Sequence, residues 1–311
     1  AATKNLEIEN LRGRNIFSLS GGEKQKIAFA SVYAMNPSVY LLDEPSSNLD
    51  MESVVALREH IKRLKAQGKT VLIVEHRLYY LIGIADRVIV LDEGQIKKVY
   101  SAKKFGALTD EERRCMGLRT IDLLREVPEI VIEEEQEVKL ELEDVSLFYR
   151  KKSVVENISV KISRGEVIAL IGENGTGKTT FSRSLCGLHR ETKGDYFWDG
   201  KVISKKKRQK IAYMVMQDVN YELFAESVEA ECSFGIKNPD LDVVTDVMDV
   251  LGLTHFAKRH PGTLSGGQKQ RLAVAVSQVC KKELIIFDEP TSGLDYESMA
   301  RVAKIVRDLS E

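Results

Sequence analysis

Residues 167–180 read VIALIGENGTGKTT. An apolar run, Val167 to Ile171, meets Gly172, and Gly172, Gly177, Lys178 and Thr179 then stand at the spacing G-x-x-x-x-G-K-[ST]. Glycines let backbone N–H groups curl around phosphate oxygens without side-chain clashes. A helix that starts inside the run adds partial positive charge at its first turn. Gly172, Glu173, Asn174, Gly175, Thr176, Gly177, Lys178, Thr179 and Thr180 together form a candidate phosphate cradle. Lys178 is placed to reach the outer phosphates, and the Thr179 hydroxyl to ligate Mg²⁺. The bland alternative is a glycine-rich turn that ends in Lys-Thr by accident. The apolar run before it, expected as a strand, and the helix-compatible TTFSRSLCGL from Thr179 weigh against that.

Working outward, the chain repeats itself. Residues 264–295 read LSGGQKQRLAVAVSQVCKKELIIFDEPTSGLD, and residues 19–50 read LSGGEKQKIAFASVYAMNPSVYLLDEPSSNLD. Ser20 to Ser265, Asp43 to Asp288 and Asp50 to Asp295 each step 245 residues. Two copies with no insertion between landmarks mark a duplicated unit. The same step taken back from Gly172 leads to a position before Ala1, and taken forward from His76 it leads past Glu311. The expectation is an excerpt of a longer protein, with two tandem domains that are each incomplete. Residues 1–95 hold the end of the first, 96–137 a linker, and 138–311 most of the second.

VYLLDEP and LIIFDEP are short apolar runs ending in acids, as buried parallel strands read. VVALREHIKRLKAQGKT is an amphipathic helix stopped by Gly68, and VLIVEH and RVIVLDEG follow as strands. VKLELEDVSLFY alternates apolar and polar residues and opens the second domain as an antiparallel strand. Alternating strands and helices predict an α/β fold. The stretch 96–137 loosens, with Pro128 and the acidic run Glu133 to Glu135 expected as a solvated hinge.

The carboxylate pairs carry the second chemical signal. Asp288 and Glu289 end a strand, at the sheet edge where α/β proteins bind ligands. Asp288 is expected to hold Mg²⁺, and Glu289 to polarise the attacking water as a general base. Asp43 and Glu44 are their counterparts. A lone Asp-Glu pair usually caps a helix or sits in a solvated turn. Here the strand, the following proline and the phosphate loop favour chemistry.

Composition narrows the class. The net charge is −1, so there is no global basic field to gather nucleic acid. The run KKKRQK at 205–210 is short, has no interleaved aromatic, and reads as a solvated loop between strands. No uninterrupted apolar run approaches the roughly 18 residues of a membrane helix. Cys115, Cys186, Cys232 and Cys280 lie far apart and form no metal-type pairs. No metal beyond Mg²⁺ is expected.

LSGGEKQK and LSGGQKQR resemble the signature motifs of ATP-binding cassette proteins, and SNLD and SGLD the loops that follow their carboxylates. The resemblance covers nearly the whole chain and implies the P-loop NTPase fold, with ATP and Mg²⁺ bound. It implies that Ser20, Gly21 and Gly22, and Ser265, Gly266 and Gly267, donate to a γ-phosphate held by the opposite domain. An ordinary serine helix cap is the competing reading of each copy taken alone. The same resemblance makes Gln217 a Mg²⁺-side glutamine, His76 a switch histidine and Tyr149 the ring that stacks on adenine. Tyr149, the phosphate loop, Gln217, Asp288 and Glu289 would form one site with Ser20, Gly22 and Asp50. Asp43, Glu44, His76, Ser265 and Gly267 would belong to the other.

Within that family, QDVNYELFAESVEAECSFG after Met216 and EHRLYYL at 75–81 resemble energy-coupling factor transporters, which import vitamins and related micronutrients. That resemblance implies membrane scaffold and substrate-binding subunits as partners, and a place on the cytoplasmic face of the membrane. The alternative is a duplicated cassette protein acting on ribosomes. Such proteins usually carry a long basic helical linker, whereas 96–137 is short and mixed in charge.

Overall fold

The computed structural model describes residues 8–16, 19, 21–47, 49–92, 94–123 and 137–310. The chain divides into two compact units, residues 1–129 and 130–311.

The first unit begins with α1, Gly21–Met35, and β1, Val39–Asp43. Helix α2, Met51–Ala66, follows. Asp50 starts it, accepting from the Ser53 N–H, and Gly68 ends it at φ 74°. Val54, Leu57, Ile61 and Leu64 recur at helical spacing and are all buried. Strand β2, Thr70–Val74, lies parallel to β1, with Val39 opposite Thr70 and Asp43 opposite Val74. Tyr40 is buried from one face of this pair, whereas Val39, Leu41, Leu72 and Val74 are exposed on the other.

Strands β3, Arg87–Asp92, and β4, Gln95–Ser101, form an antiparallel hairpin. Helices α3, Ala102–Gly106, and α4, Asp110–Arg114, follow, with Phe105 fully buried and a Thr109–Glu112 capping box. The stretch expected as linker from residue 96 thus opens with a paired strand. Its hydropathy reads as loop because nearly every residue of β4 is exposed, on both faces. Pro128 and the acidic run at 133–135 lie outside the described residues.

The second unit opens on a long hairpin of β5, Val138–Tyr149, and β6, Lys152–Ser163. Strands β7, Thr192–Trp198, and β8, Lys201–Val202, extend it in the order β6-β5-β7-β8. Helix α5, Lys178–Leu185, packs Leu185 into the core of this sheet beside Leu140, Leu142, Tyr196 and Trp198. Helix α6, Lys205–Ile211, leads into β9, Ala212–Val215. After the short α7, Val228–Cys232, and α8, Leu241–Val250, come α9, Gly266–Val279, and β10, Leu284–Phe287. Strand β10 pairs in parallel with β9, and α10, Tyr296–Ser310, closes the described part. The second core gathers Val244, Val247, Leu251, Leu272, Val274 and Ile305 around α9.

Two expectations need correction. VIALI forms no strand, and Ile171 is 86% exposed. A parallel strand exists only through its neighbours' hydrogen bonds. In the first unit the acid-bearing strand β1 pairs with β2, whereas in the second β10 pairs with β9. Among the described residues no strand lies beside 167–171. The run at 205–210 is a helix rather than a loop: Ser204 caps it, and Arg208 and Ile211, one turn apart, are buried. The Arg208 guanidinium lies 3.5 Å from the centre of the Tyr196 ring, so this cation packs inward.

Candidate functional site

The phosphate loop has its positive-φ backbone at the glycines, with φ 154° at Gly172, 86° at Gly175 and 98° at Gly177. At Gly177 a Cβ would lie 2.8 Å from Val155 Cγ2 and 3.0 Å from Val154 Cγ1, both on β6, so only glycine fits. The Thr176 hydroxyl donates to the Glu173 carbonyl at 2.9 Å and closes the turn. Lys178 Nζ donates to the Gly172 and Glu173 carbonyls at 2.8 and 2.7 Å, which folds the ammonium back over the loop. Helix α5 starts at Lys178, so Thr179 and Thr180 lie in its first turn, whose free N–H groups favour an anion.

Thr179 Oγ1 donates to Asp288 Oδ2 at 2.8 Å. Asp288 follows β10 and is buried, and its N–H donates to the Val215 carbonyl of β9. A hydroxyl and a carboxylate side by side are hard oxygen donors, the set that suits Mg²⁺ held with substrate phosphates. Gln217 Nε2 donates to Glu289 Oε2 at 3.1 Å. Glu289 adopts φ 52°, an uncommon backbone for a non-glycine residue. Its counterpart Glu44 adopts φ 42°. The same strain, of order 1 kcal/mol or more, at both glutamates marks a feature of the unit rather than of one loop.

The structure therefore brings the phosphate loop, Asp288, Gln217 and Glu289 together. Tyr149 ends β5 opposite Lys152 and is largely exposed. Glu191 accepts from the Arg150 and Lys151 N–H groups and fixes the turn after it. Ser265 caps α9, accepting from the Gln268 N–H in a reciprocal capping box, and Gly266 and Gly267 form the first turn. Its hydroxyl thus performs the cap that competed with phosphate contact. Asp50 likewise caps α2. Gly21 and Gly22 open α1, and Ser20 lies outside the described residues.

In the first unit Asp43 ends β1, and the Glu44 N–H donates to Val74 of β2. His76 Nε2 lies 3.6 Å from Glu44 Oε1, so the expected switch position and the carboxylate are neighbours. Gln25 of α1 donates to the Glu44 and Pro45 carbonyls at 3.1 and 2.7 Å, which ties α1 to this loop.

Residue-type reasoning passed over the two neighbours of His76. Glu75 accepts from the Ser46 N–H and hydroxyl, from the Tyr80 hydroxyl, and from the His76 and Arg77 N–H groups. Arg77 donates to the carbonyls of Ser46, Ser47 and Leu49 at 3.1, 3.3 and 3.1 Å. Burial and the Glu75 charge push the Tyr80 hydroxyl up, so it stays a donor. Three polar residues in a row at a strand end, Glu-His-Arg, were the only signal in the sequence.

Residues 1–47 and 155–292 match the model of the ABC transporter family, together more than half of the chain. An ABC transporter ATP-binding protein of Treponema denticola is 47% identical, over 99% of this chain and 64% of that protein. One from Methanosarcina mazei is 33% identical, over 97% of this chain and 61% of that protein. A structure of ribosome-bound archaeal Pelota and ABCE1 superposes with a TM-score of 0.76 at 30% identity, over all of this chain and 52% of that one. The chain thus spans less than two thirds of the length of each of these relatives. A shared family model, and relatives matched along almost its whole length, agree with the geometry of the phosphate loop and its carboxylates: the chain belongs to the ATP-binding cassette (ABC) transporter family.

Proposed function

We propose that this chain is part of the ATP-binding and ATP-hydrolysing component of an ABC transporter of the energy-coupling factor type, which imports vitamins or related micronutrients. The observation that supports it most is the arrangement at the end of β10. There Thr179 meets Asp288 at 2.8 Å and Gln217 meets Glu289 at 3.1 Å, beside the phosphate loop.

In this reading the N–H groups of the loop and of the first turn of α5 hold the phosphates, and Lys178 swings from its two carbonyl partners onto the outer ones. Thr179, Asp288 and Gln217 would hold Mg²⁺, which would supply positive charge to the phosphates. Glu289 orients the attacking water and takes its proton, with Gln217 fixing the carboxylate. Glu44, Asp43 and His76 are the matching set of the first unit. The signature loops Ser20–Gly22 and Ser265–Gly267 each offer N–H and hydroxyl donors suited to a γ-phosphate, Asp50 holds the start of α2, and Tyr149 stacks on the base.

None of the described helices is long and apolar enough to cross a membrane. In this reading separate integral membrane subunits supply the span, and the chain works at the cytoplasmic face. Tyr221, Phe224 and Phe234 are exposed around the loop after Gln217 and support a proteinaceous apolar partner there. A second reading, action on ribosomes, draws on the likeness to the ribosome-bound ABCE1 structure.

Two experiments test this. Glu289→Gln in the full-length protein should lower hydrolysis by about 10²–10⁴-fold while ATP binding persists. Wild-type single-turnover rates in that variant would remove Glu289 as base. Co-purification from membranes with a hydrophobic subunit supports the transporter, and co-sedimentation with ribosomes supports the second reading.

A further inference from the structure

We propose that Glu222 is a positioning residue for Gln217: its carboxyl group closes the loop after β9 and so aims the Gln217 amide at Glu289. The proposal rests on the hydrolytic reading of Glu289 given above. Glu222 Oε1 accepts from the Met216 N–H at 3.1 Å, and Met216 is the residue immediately before Gln217. One residue later the Gln217 amide reaches Glu289 Oε2 at 3.1 Å. The loop therefore runs out from β9 and is pulled back onto its own root by one side chain.

The far end of the loop is fixed independently. Glu231, on α7 and 2% exposed, accepts from the Phe224 and Ala225 N–H groups at 2.7 and 2.6 Å. Asn220, between the two clamps, takes a hydrogen bond from Lys269 of α9 at 2.8 Å. Residues 216–225 are thus held at both ends by carboxyl groups and at the middle by a lysine. The Glu222 clamp acts on the residue before Gln217, while the Lys269–Asn220 contact passes to Asp218, the residue after it.

Burial of Glu222 pushes its carboxyl up to about 8, against the Met216 N–H and with the added repulsion of Glu231. Glu231 of α7 and Tyr213 of β9 are the titratable groups whose charge it feels or perturbs. At neutral pH the side chain is mainly the uncharged acid. A glutamine amide offers the same carbonyl acceptor to Met216 at nearly the same size, whereas alanine offers none. That difference separates a hydrogen-bonding role from a charge role.

The experiment compares Glu222→Ala, Glu222→Gln, Gln217→Ala and the Glu222→Ala/Gln217→Ala double variant in the full-length protein. Two quantities are read: steady-state ATP hydrolysis, and hydrogen exchange at the Met216 amide without nucleotide. Glu222→Ala should expose the Met216 amide and lower kcat by about 10- to 100-fold, the scale for losing an orienting partner, with the KM for ATP little changed. Glu222→Gln should keep both near wild type, and the double variant should lose no more than Gln217→Ala alone. The proposal falls if Glu222→Ala exposes Met216 yet leaves kcat unchanged, if the two single losses multiply, or if Glu222→Gln behaves as Glu222→Ala. If Glu289→Gln hydrolyses normally, the hydrolytic reading fails instead, while the exchange data still report on the clamp.

Discussion

The Thr179 hydroxyl donates to the Asp288 carboxylate at 2.8 Å, joining residues 109 positions apart. Helix α5 and strand β10 are thereby linked at their functional ends. The link holds although 167–171, the run leading into the loop, pairs with no described strand.

Asp288→Asn keeps size and the ability to accept from Thr179 but removes the charge. Mg²⁺-dependent hydrolysis should fall by about 10- to 100-fold, with a raised requirement for Mg²⁺. A Mg²⁺ titration of the rate checks this. An unchanged titration would place the metal elsewhere.

Among the described residues Lys178 has carbonyl partners alone, Gly172 and Glu173, and no carboxylate holds its charge away from an arriving phosphate. Lys178→Ala should abolish detectable ATP binding in calorimetry at concentrations that saturate the parent. Retained binding would contradict the assignment of the loop.

Arg77 spreads one planar guanidinium over three carbonyls of the loop after Glu44. Arg77→Ala takes the side-chain donor from all three, of which the Ser46 carbonyl keeps the Leu49 N–H, and should destabilise the first unit by about 1–3 kcal/mol in urea denaturation. Arg77→Lys should recover little of this, because an ammonium cannot match the fork. Full rescue by lysine would show that charge alone matters.

The cysteines differ in reactivity. Burial pushes the Cys186 and Cys232 thiols up to about 12 and raises Cys280 as well, which lowers the thiolate fraction of each at pH 8. Cys115 is exposed. Mass spectrometry after brief maleimide treatment at pH 8 should find Cys115 modified first and Cys186 and Cys232 intact. Labelling of Cys232 at a rate equal to Cys115 would show that α7 opens readily.

The elements legible from sequence were those whose meaning is local. Gly172 to Thr180, the acids after β1 and β10, and the Gly68 stop are set by spacing within a few residues, and each lies where the pattern put it. The strand expected at 167–171 depended on a neighbour, which periodicity within one segment does not report. The helix at 205–211 hid behind its lysines, because the informative pair is Arg208 and Ile211, and only packing against Tyr196 shows why an arginine points inward. Glu75 and Arg77 act on residues 28 to 31 positions away, and Glu222 acts on the backbone of another residue. Such side-chain-to-backbone contacts leave no residue-type signature.

The hairpin of β5 and β6 carries Tyr149 at its turn and presses Val154 and Val155 against Gly177. One antiparallel ribbon therefore spans from the Tyr149 ring to the loop at 172–179. If Tyr149 stacks on the base as proposed, that ribbon would act as a ruler, gauging a nucleotide by its length from base to tail.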